Sequence, residues 1–313
     1  MTLNLYQKIA ITTVVATLFL IFVGGLVRAS GAGLGCPDWP KCFGVWIPPL
    51  DAADLPAEYN QSEFNVVKTW TEYINRLVGV VIGLLIIATF ATSLRYRKTK
   101  PAITWCSGIA LILVVFQGWL GGQVVETGLA AWLITIHMML AFVIVNVLLY
   151  ATFKATEEHW DIEIPIDGQK KLFYWGSALL VLTLIQVVIG TQVREGIDII
   201  KDVAIAPPRE TWLDMVGNIF LIHRSYSWII LINTGMLFFL DKKYEISGFT
   251  KRVLIWIYML IAVQMFAGIG LNYLDMPAIL QILHLTSVAI LVCAEFLLLL
   301  SARFAQKNVT EAL

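Results

Sequence analysis

Eight long apolar blocks decide what this chain can fold into. They run over about residues 8–28, 72–94, 102–125, 129–153, 171–194, 215–240, 252–274 and 277–302. Each is long enough for a helix to cross a hydrocarbon layer roughly 30 Å thick. Within each block the apolar residues run continuously instead of forming the one-sided stripe of a soluble helix. Of the 313 residues 58% are hydrophobic and 14% charged, with a mean hydropathy of +0.78, a more apolar and less charged balance than soluble domains carry. A helix closes its own backbone hydrogen bonds and so suits lipid, and the alternating polar strands of a membrane barrel are absent. The expectation is an all-α membrane protein with eight transmembrane helices. The first block ends Gly24-Gly25-Leu26-Val27-Arg28, without a small-x-small cleavage site, and reads as a retained helix.

Lysine and arginine in short loops set the orientation. Arg95-Tyr96-Arg97-Lys98-Thr99-Lys100 and the segment from Asp241 to Arg252 are basic, and with both termini they read as cytoplasmic. The loops 29–71, 126–128, 195–214 and 275–276 are acidic or neutral and read as outer. The formal net charge is zero, and no basic stripe marks a nucleic-acid partner. Cys106 and Cys293 lie in apolar blocks and read as small buried hydrophobes. Cys36 and Cys42 lie in the outer "GCPDWPKC". An oxidising compartment favours a disulfide there, with redox-cycling thiols as the alternative, and the spacing is not that of a zinc site.

The chain reads as two similar halves. Gln117 and Gly121 of the third block match Gln264 and Gly268 of the seventh, and each glutamine is followed twenty residues later by a histidine, His137 and His284. Arg28 and Gly24 match Arg194 and Gly190 at an offset of 166, and Asn75-Arg76 matches His223-Arg224 at 148. A longer outer loop in the first half absorbs the difference. This spacing predicts two pseudo-symmetric four-helix bundles: residues 1–154 with the long loop 29–71, a charged cytoplasmic linker 155–170, and residues 171–313. Each half crosses the membrane four times, so the repeat is parallel. His159 in the linker reads as a solvated loop residue.

His137, His223 and His284 fall near the outer ends of their helices. A lone intramembrane histidine reads as a helix–helix hydrogen bond, whereas recurring positions point to ligands. Two imidazoles facing inward from the second and fourth helices of a bundle suit a haem iron, so His223 and His284 are candidate ligands of a bound haem. Arg28, Arg76, Arg194 and Arg224 lie at the same level. There a guanidinium matches a haem propionate or simply snorkels to the interface. Gly24, Gly25, Gly121, Gly122, Gly190 and Gly268 allow close approach of backbones or of a macrocycle. The first half has His137 but Asn75 where the second has His223, so its pocket offers one strong ligand and suits a haem that exchanges. Glu72, one turn before Asn75 on the same face, is either a reactive carboxylate of that pocket or the salt-bridge partner of Arg76.

These residues, with the outer-loop "GAGLGCPDWPKC", the glutamate-led "EYINRLVG" and the "HR" at 223–224, resemble the haem A synthase family over essentially the whole chain. The resemblance implies oxidation of the C8 methyl of haem O to a formyl group by two hydroxylations and loss of water. It implies a haem b held by His223 and His284, a substrate haem near His137, and Glu72 as the pocket carboxylate. It also implies that Cys36 and Cys42 are the loop cysteine pair. Further implications are haem O synthase and an unidentified electron donor as partners, access from membrane lipid, a bacterial inner membrane with the haem sites near its outer face, and room for a homo-oligomer. Many family members carry histidine at the place of Asn75, and some carry a second cysteine pair in the loop 195–214; this chain has neither. A b-type cytochrome that only transfers electrons, or a haem transporter, would use the same histidines.

Overall fold

The computed structural model describes residues 2–201, 203 and 205–310, with side chains up to residue 305. It is built of helices: α1 (Leu5–Ala29), α2 (Val66–Ser93), α3 (Pro101–Glu126), α4 (Ala131–Thr156), α5 (Ile166–Lys201), the short α6 (Trp212–Val216), α7 (Asn218–Lys243), α8 (Gly248–Tyr273) and α9 (Ala278–Thr310). Among the described residues the only strand-like pairing is an isolated bridge between Cys42 and Val45. The starts of the helices are written in the sequence. Asn4 accepts from the Gln7 N–H while the Gln7 side chain accepts from the Asn4 N–H, a reciprocal cap. Asn65 caps α2 through the Lys68 N–H, and Pro101 opens α3, where its missing N–H costs nothing.

Seven helices are long and apolar enough to cross a membrane, and an eighth span is reached only by taking α7 together with the segment Arg209–Val216, bent from it by 81°. The eighth expected span is the weak one, because the first third of α7 carries the polar run His223-Arg224-Ser225-Tyr226-Ser227. Gly217, with φ +69°, makes the bend between α6 and α7 in a region that a residue with a Cβ rarely adopts. A second correction concerns α5. The apolar block ends at Arg194, yet the helix continues to Lys201. Asp198 pairs one turn on with Arg194 at 3.1 Å and with Lys201 at 2.9 Å, and such pairs support a helix that has lost its apolar face. The connection between α4 and α5 is correspondingly shorter than 155–170, since α4 runs to Thr156 and α5 starts at Ile166.

The chain divides into two compact units, with the boundary between Thr156 and Glu157. In the first, α1 packs on α2 and α4, and α3 closes the ring between α2 and α4. In the second, α5 packs on α7 and α9, and α8 packs on α9 but only thinly on α7. Interhelical hydrogen bonds tie each ring. In the first unit Tyr6 meets Ser107 at 3.2 Å, Thr13 meets Thr89 at 2.8 Å, and the Gln7 amide donates to the Ala155 carbonyl at 2.6 Å. Such bonds contribute about 0.6 kcal/mol each on average. In the second unit Gly176 lies against Leu298 and Leu299, where an added Cβ would come within 3.1 Å of a leucine methyl. Glu295 on α9 is fully buried, accepts from Thr183 on α5 at 2.7 Å, and leaves its second oxygen without a partner.

Thr183→Val should therefore cost about 1–3 kcal/mol, because it strands a buried carboxyl group. Replacing both residues, Thr183→Val with Glu295→Leu, should recover most of that loss. Thermal unfolding of the purified protein in one detergent checks the pair of results.

Candidate functional site

The second unit brings two histidines together. His223 is the sixth residue of α7 and His284 the seventh of α9, so both sit in the second turn at the same end of the ring. Their ring centres are 6.5 Å apart, with planes at 68°. An imidazole nitrogen lies about 2 Å from its metal and about 1.1 Å from its own ring centre, so two imidazoles gripping one ion from opposite sides stand about 6.3 Å apart. The observed spacing fits that requirement. Both Nδ1 atoms are buried without a hydrogen-bond partner, a costly state in apolar surroundings, and one that suits histidines awaiting a ligand. Among the described residues, no three or more His, Cys, Asp or Glu side chains gather into a metal-holding group.

Neighbouring helices hold each histidine from behind. The Gln186 side chain on α5 donates to the His223 carbonyl at 2.9 Å, and Gln264 on α8 donates to the His284 carbonyl at 2.7 Å and to Ser287 Oγ at 2.8 Å. A Cβ placed at Gly190 would lie 3.1 Å from His223 Cε1, and one at Gly268 would lie 3.8 Å from His284 Cε1. Gly190 is thus the space in which the His223 ring rests. Arg194 does not stand free for a propionate. It pairs with Asp198 and donates to Gln281 Oε1, and that pairing holds α5 to α9. Arg224 is exposed.

In the first unit His137 occupies the seventh position of α4, and Gln117 on α3 donates to its carbonyl at 3.0 Å. A Cβ at Gly121 would meet its Cε1 at 3.3 Å, and its Nδ1 is buried without a partner. The surroundings of Asn75 differ. Its Oδ1 is buried and unpartnered, and Gly24, the counterpart of Gly190, has nothing within 4 Å of an added Cβ. Where the second unit holds a ring against α5, the first holds open space. Arg28 lies half-buried near the end of α1.

The long loop is docked on α2 through one helical face. Thr69, Glu72 and Arg76 recur at the spacing that puts side chains one above another. Thr69 Oγ1 donates to the Gly35 carbonyl at 2.8 Å, and the Cys36 N–H donates to Glu72 Oε2 at 3.0 Å. Arg76 binds Glu72 Oε1 at 2.5 Å and donates to the carbonyls of Asp38, Lys41 and Cys36. Cys36 and Cys42 are joined as a disulfide, so Arg76 reads the carbonyls of the ring that this bond closes. Glu72 is 4% exposed, and both of its oxygens are engaged. Of the two readings of Glu72, the salt bridge to Arg76 is present, and Arg76 is occupied by this network instead of being left for a propionate. Trp39 of the same loop covers Gly122 on α3, where a Cβ would come within 2.9 Å of the indole. The loop is thereby fastened to two helices of the ring. The sequence reading missed the roles of Gln186, Thr69 and Gly35. Gln186 had a signal, since its four-residue spacing to Gly190 equals that of Gln117 to Gly121 and of Gln264 to Gly268.

A model of the COX15-CtaA family, described as cytochrome oxidase assembly protein, matches residues 7–296. The chain is similar to the heme A synthase of Wolbachia sp. subsp. Brugia malayi, 26% identical over 304 residues that cover 85% of this chain and 87% of the relative. It is similar to that of Paracoccus denitrificans, 27% identical over 291 residues, 80% of this chain and 75% of the relative. A match to the heme A synthase of Shewanella oneidensis is 33% identical over 140 residues, 44% of this chain and 42% of the relative.

Gly35→Ala should lift the loop from α2, because its Cβ would stand 2.4 Å from the Lys68 carbonyl oxygen, a backbone atom that cannot swing away. Limited proteolysis should then cut within residues 36–65 several-fold faster than in the unaltered protein, and an unchanged rate would show that the loop is held elsewhere.

Proposed function

Since the chain belongs to the haem A synthase family of cytochrome oxidase assembly proteins, we propose that this multi-pass membrane enzyme of haem A biosynthesis oxidises the C8 methyl of haem O to a formyl group and relays electrons through a bis-histidine haem b. The observation that carries the reading is the inequality of the two units: His223 and His284 stand 6.5 Å apart, whereas the matching pair in the first unit is Asn75 and His137.

His223 and His284 hold haem b, and Gln186, Gln264 and Gly190 support them. Bound there, haem b supplies one-electron transfer. Haem O, the substrate, enters the first unit from the lipid and is held on His137, with Asn75 and the open space at Gly24 leaving its other face accessible. A substrate gripped from one side is released more readily than one gripped from both, which suits a product that has to leave. Glu72, one turn from Asn75, steadies positive charge or moves a proton at the methyl carbon while Arg76 and the Cys36 N–H fix its position. The disulfide loop, fastened by Trp39 and Arg76, keeps water from that end of the pocket. Arg28, Arg76, Arg194 and Arg224 stand at the level of the propionates and match them in charge, and Arg76 and Arg194 also hold the networks they already form. Each unit acts as a four-helix bundle, with both termini on the cytoplasmic side and the haem sites near the outer face of a bacterial inner membrane. Haem O synthase delivers the substrate, and a separate electron donor supplies the electrons.

Pigments extracted from protein produced beside a haem O synthase, and analysed by mass, test this reading. Haem O, haem A or a hydroxylated intermediate alongside haem b is expected, and haem b alone would mark an electron-transfer cytochrome instead. Glu72→Ala should keep haem b and lose haem A formation by at least about a hundredfold, in the range expected when a positioned acid–base group is removed. Full activity would leave Glu72 with only its structural bonds to the loop.

A further inference from the structure

A three-part module recurs in this chain. A glutamine and, four residues later, a glycine lie on one helix, and a histidine lies on the next long helix. It appears as Gln117, Gly121 and His137; as Gln186, Gly190 and His223; and as Gln264, Gly268 and His284. Each glutamine amide donates to the backbone carbonyl of its histidine, at 3.0, 2.9 and 2.7 Å. Each glycine lies beside the imidazole, with an added Cβ 3.3, 3.1 and 3.8 Å from Cε1. By the offset that pairs Arg28 with Arg194, the fourth copy would be Leu20, Gly24 and Asn75. It has lost the glutamine and the histidine together and kept the glycine, which faces open space.

We propose that Gln117, Gln186 and Gln264 are positioning residues for the haem-facing imidazoles, and that the first unit's pocket is the fourth module with both its clamp and its ligand removed. This rests on the reading of His223 and His284 as haem b ligands. A helical carbonyl already accepts from the N–H four residues on and keeps a second lone pair. The glutamine takes that lone pair and so fixes the rotation and rise of the histidine's own backbone, to which the ring is attached by only two torsions. Plain helix association does not require the bond to fall on the histidine itself, yet it does so three times. The amide oxygens Gln117 Oε1 and Gln186 Oε1 and the ring atoms His137 Nδ1, His223 Nδ1 and His284 Nδ1 are all buried without partners, so each glutamine acts on its histidine through the backbone carbonyl and leaves the ring available. The broken copy explains why Asn75 alone is an incomplete account of the asymmetry: without Gln186's counterpart, a histidine placed there would be unclamped.

The test uses full-length protein purified with its haem. Gln186→Leu should retain haem b but shift its low-spin electron paramagnetic resonance g values, which report the angle between the two imidazole planes, because the His223 backbone loses the bond that fixes it. Wild-type g values would overturn the proposal. The complementary gain is the double variant Leu20→Gln with Asn75→His, which should double the low-spin haem signal per chain where Asn75→His alone adds a weaker or heterogeneous one. Equal signals from the single and double variants would overturn the role of the glutamine even if Gln186→Leu failed to fold. His223→Ala in the same series separates the two layers: if it leaves the low-spin spectrum intact, the haem b assignment falls and this inference with it. Loss of that spectrum together with indifference to the glutamines removes the inference alone.

Discussion

A polar side chain inside an apolar helix must find its partner within the protein, because lipid supplies none, and the fold turns on where those partners are placed. In this chain the most consequential ones are three glutamine amides bound across helices to the carbonyls of three histidines. The bonds do structural work in the ordinary sense, pinning α3 to α4, α5 to α7 and α8 to α9. They also spend that work at the residues whose side chains are the strongest metal ligands in the membrane-spanning part of the chain. The imidazole Nδ1 atoms are left unpartnered in the process, so the interior is stabilised through the histidine backbones and kept available through their rings.

The two units use this device unequally. In the second, two clamped histidines meet at a spacing that one iron atom would set. In the first, only His137 is clamped, the residue matching His223 is Asn75, and Gly24, the match of Gly190, has nothing within 4 Å of an added Cβ. The same end of the first unit carries the long loop, whose disulfide ring is bound by Arg76 and whose Cys36 N–H is bound by Glu72. Those contacts sit one helical turn from Asn75. The loop, the carboxylate and Asn75 thus lie on one connected piece of structure, and any movement of the loop is felt by Glu72.

Much of this was legible in the residues. The apolar blocks gave the helices, because length and hydropathy suffice for that in lipid. The offsets between Gly24 and Gly190 or Gln117 and Gln264 gave the internal correspondence, because a repeat preserves spacing. The histidine pair followed from chemistry that few other side chains offer. Other features were not legible. The extension of α5 past Arg194 depends on local pairs with Asp198, which an apolar scan discards as loop. The weak span of α7 depends on a bend at Gly217 that hydropathy does not encode. The engagement of Arg76 and Arg194 was ambiguous, since an arginine at a helix end looks the same whether it awaits a propionate or binds a neighbour. Glu72 was visible as a buried carboxylate, but its bond to the Cys36 N–H joins residues far apart in sequence and needed the folded loop.

The inequality of the two units is tested most directly by counting low-spin haem in the unaltered protein, produced without a haem O synthase and assayed for haem per chain together with its magnetic resonance spectrum. The account predicts a single bis-imidazole haem b for each chain and no second species of that type. Two equivalent low-spin haems per chain, or a haem bound only in high-spin form, would contradict it.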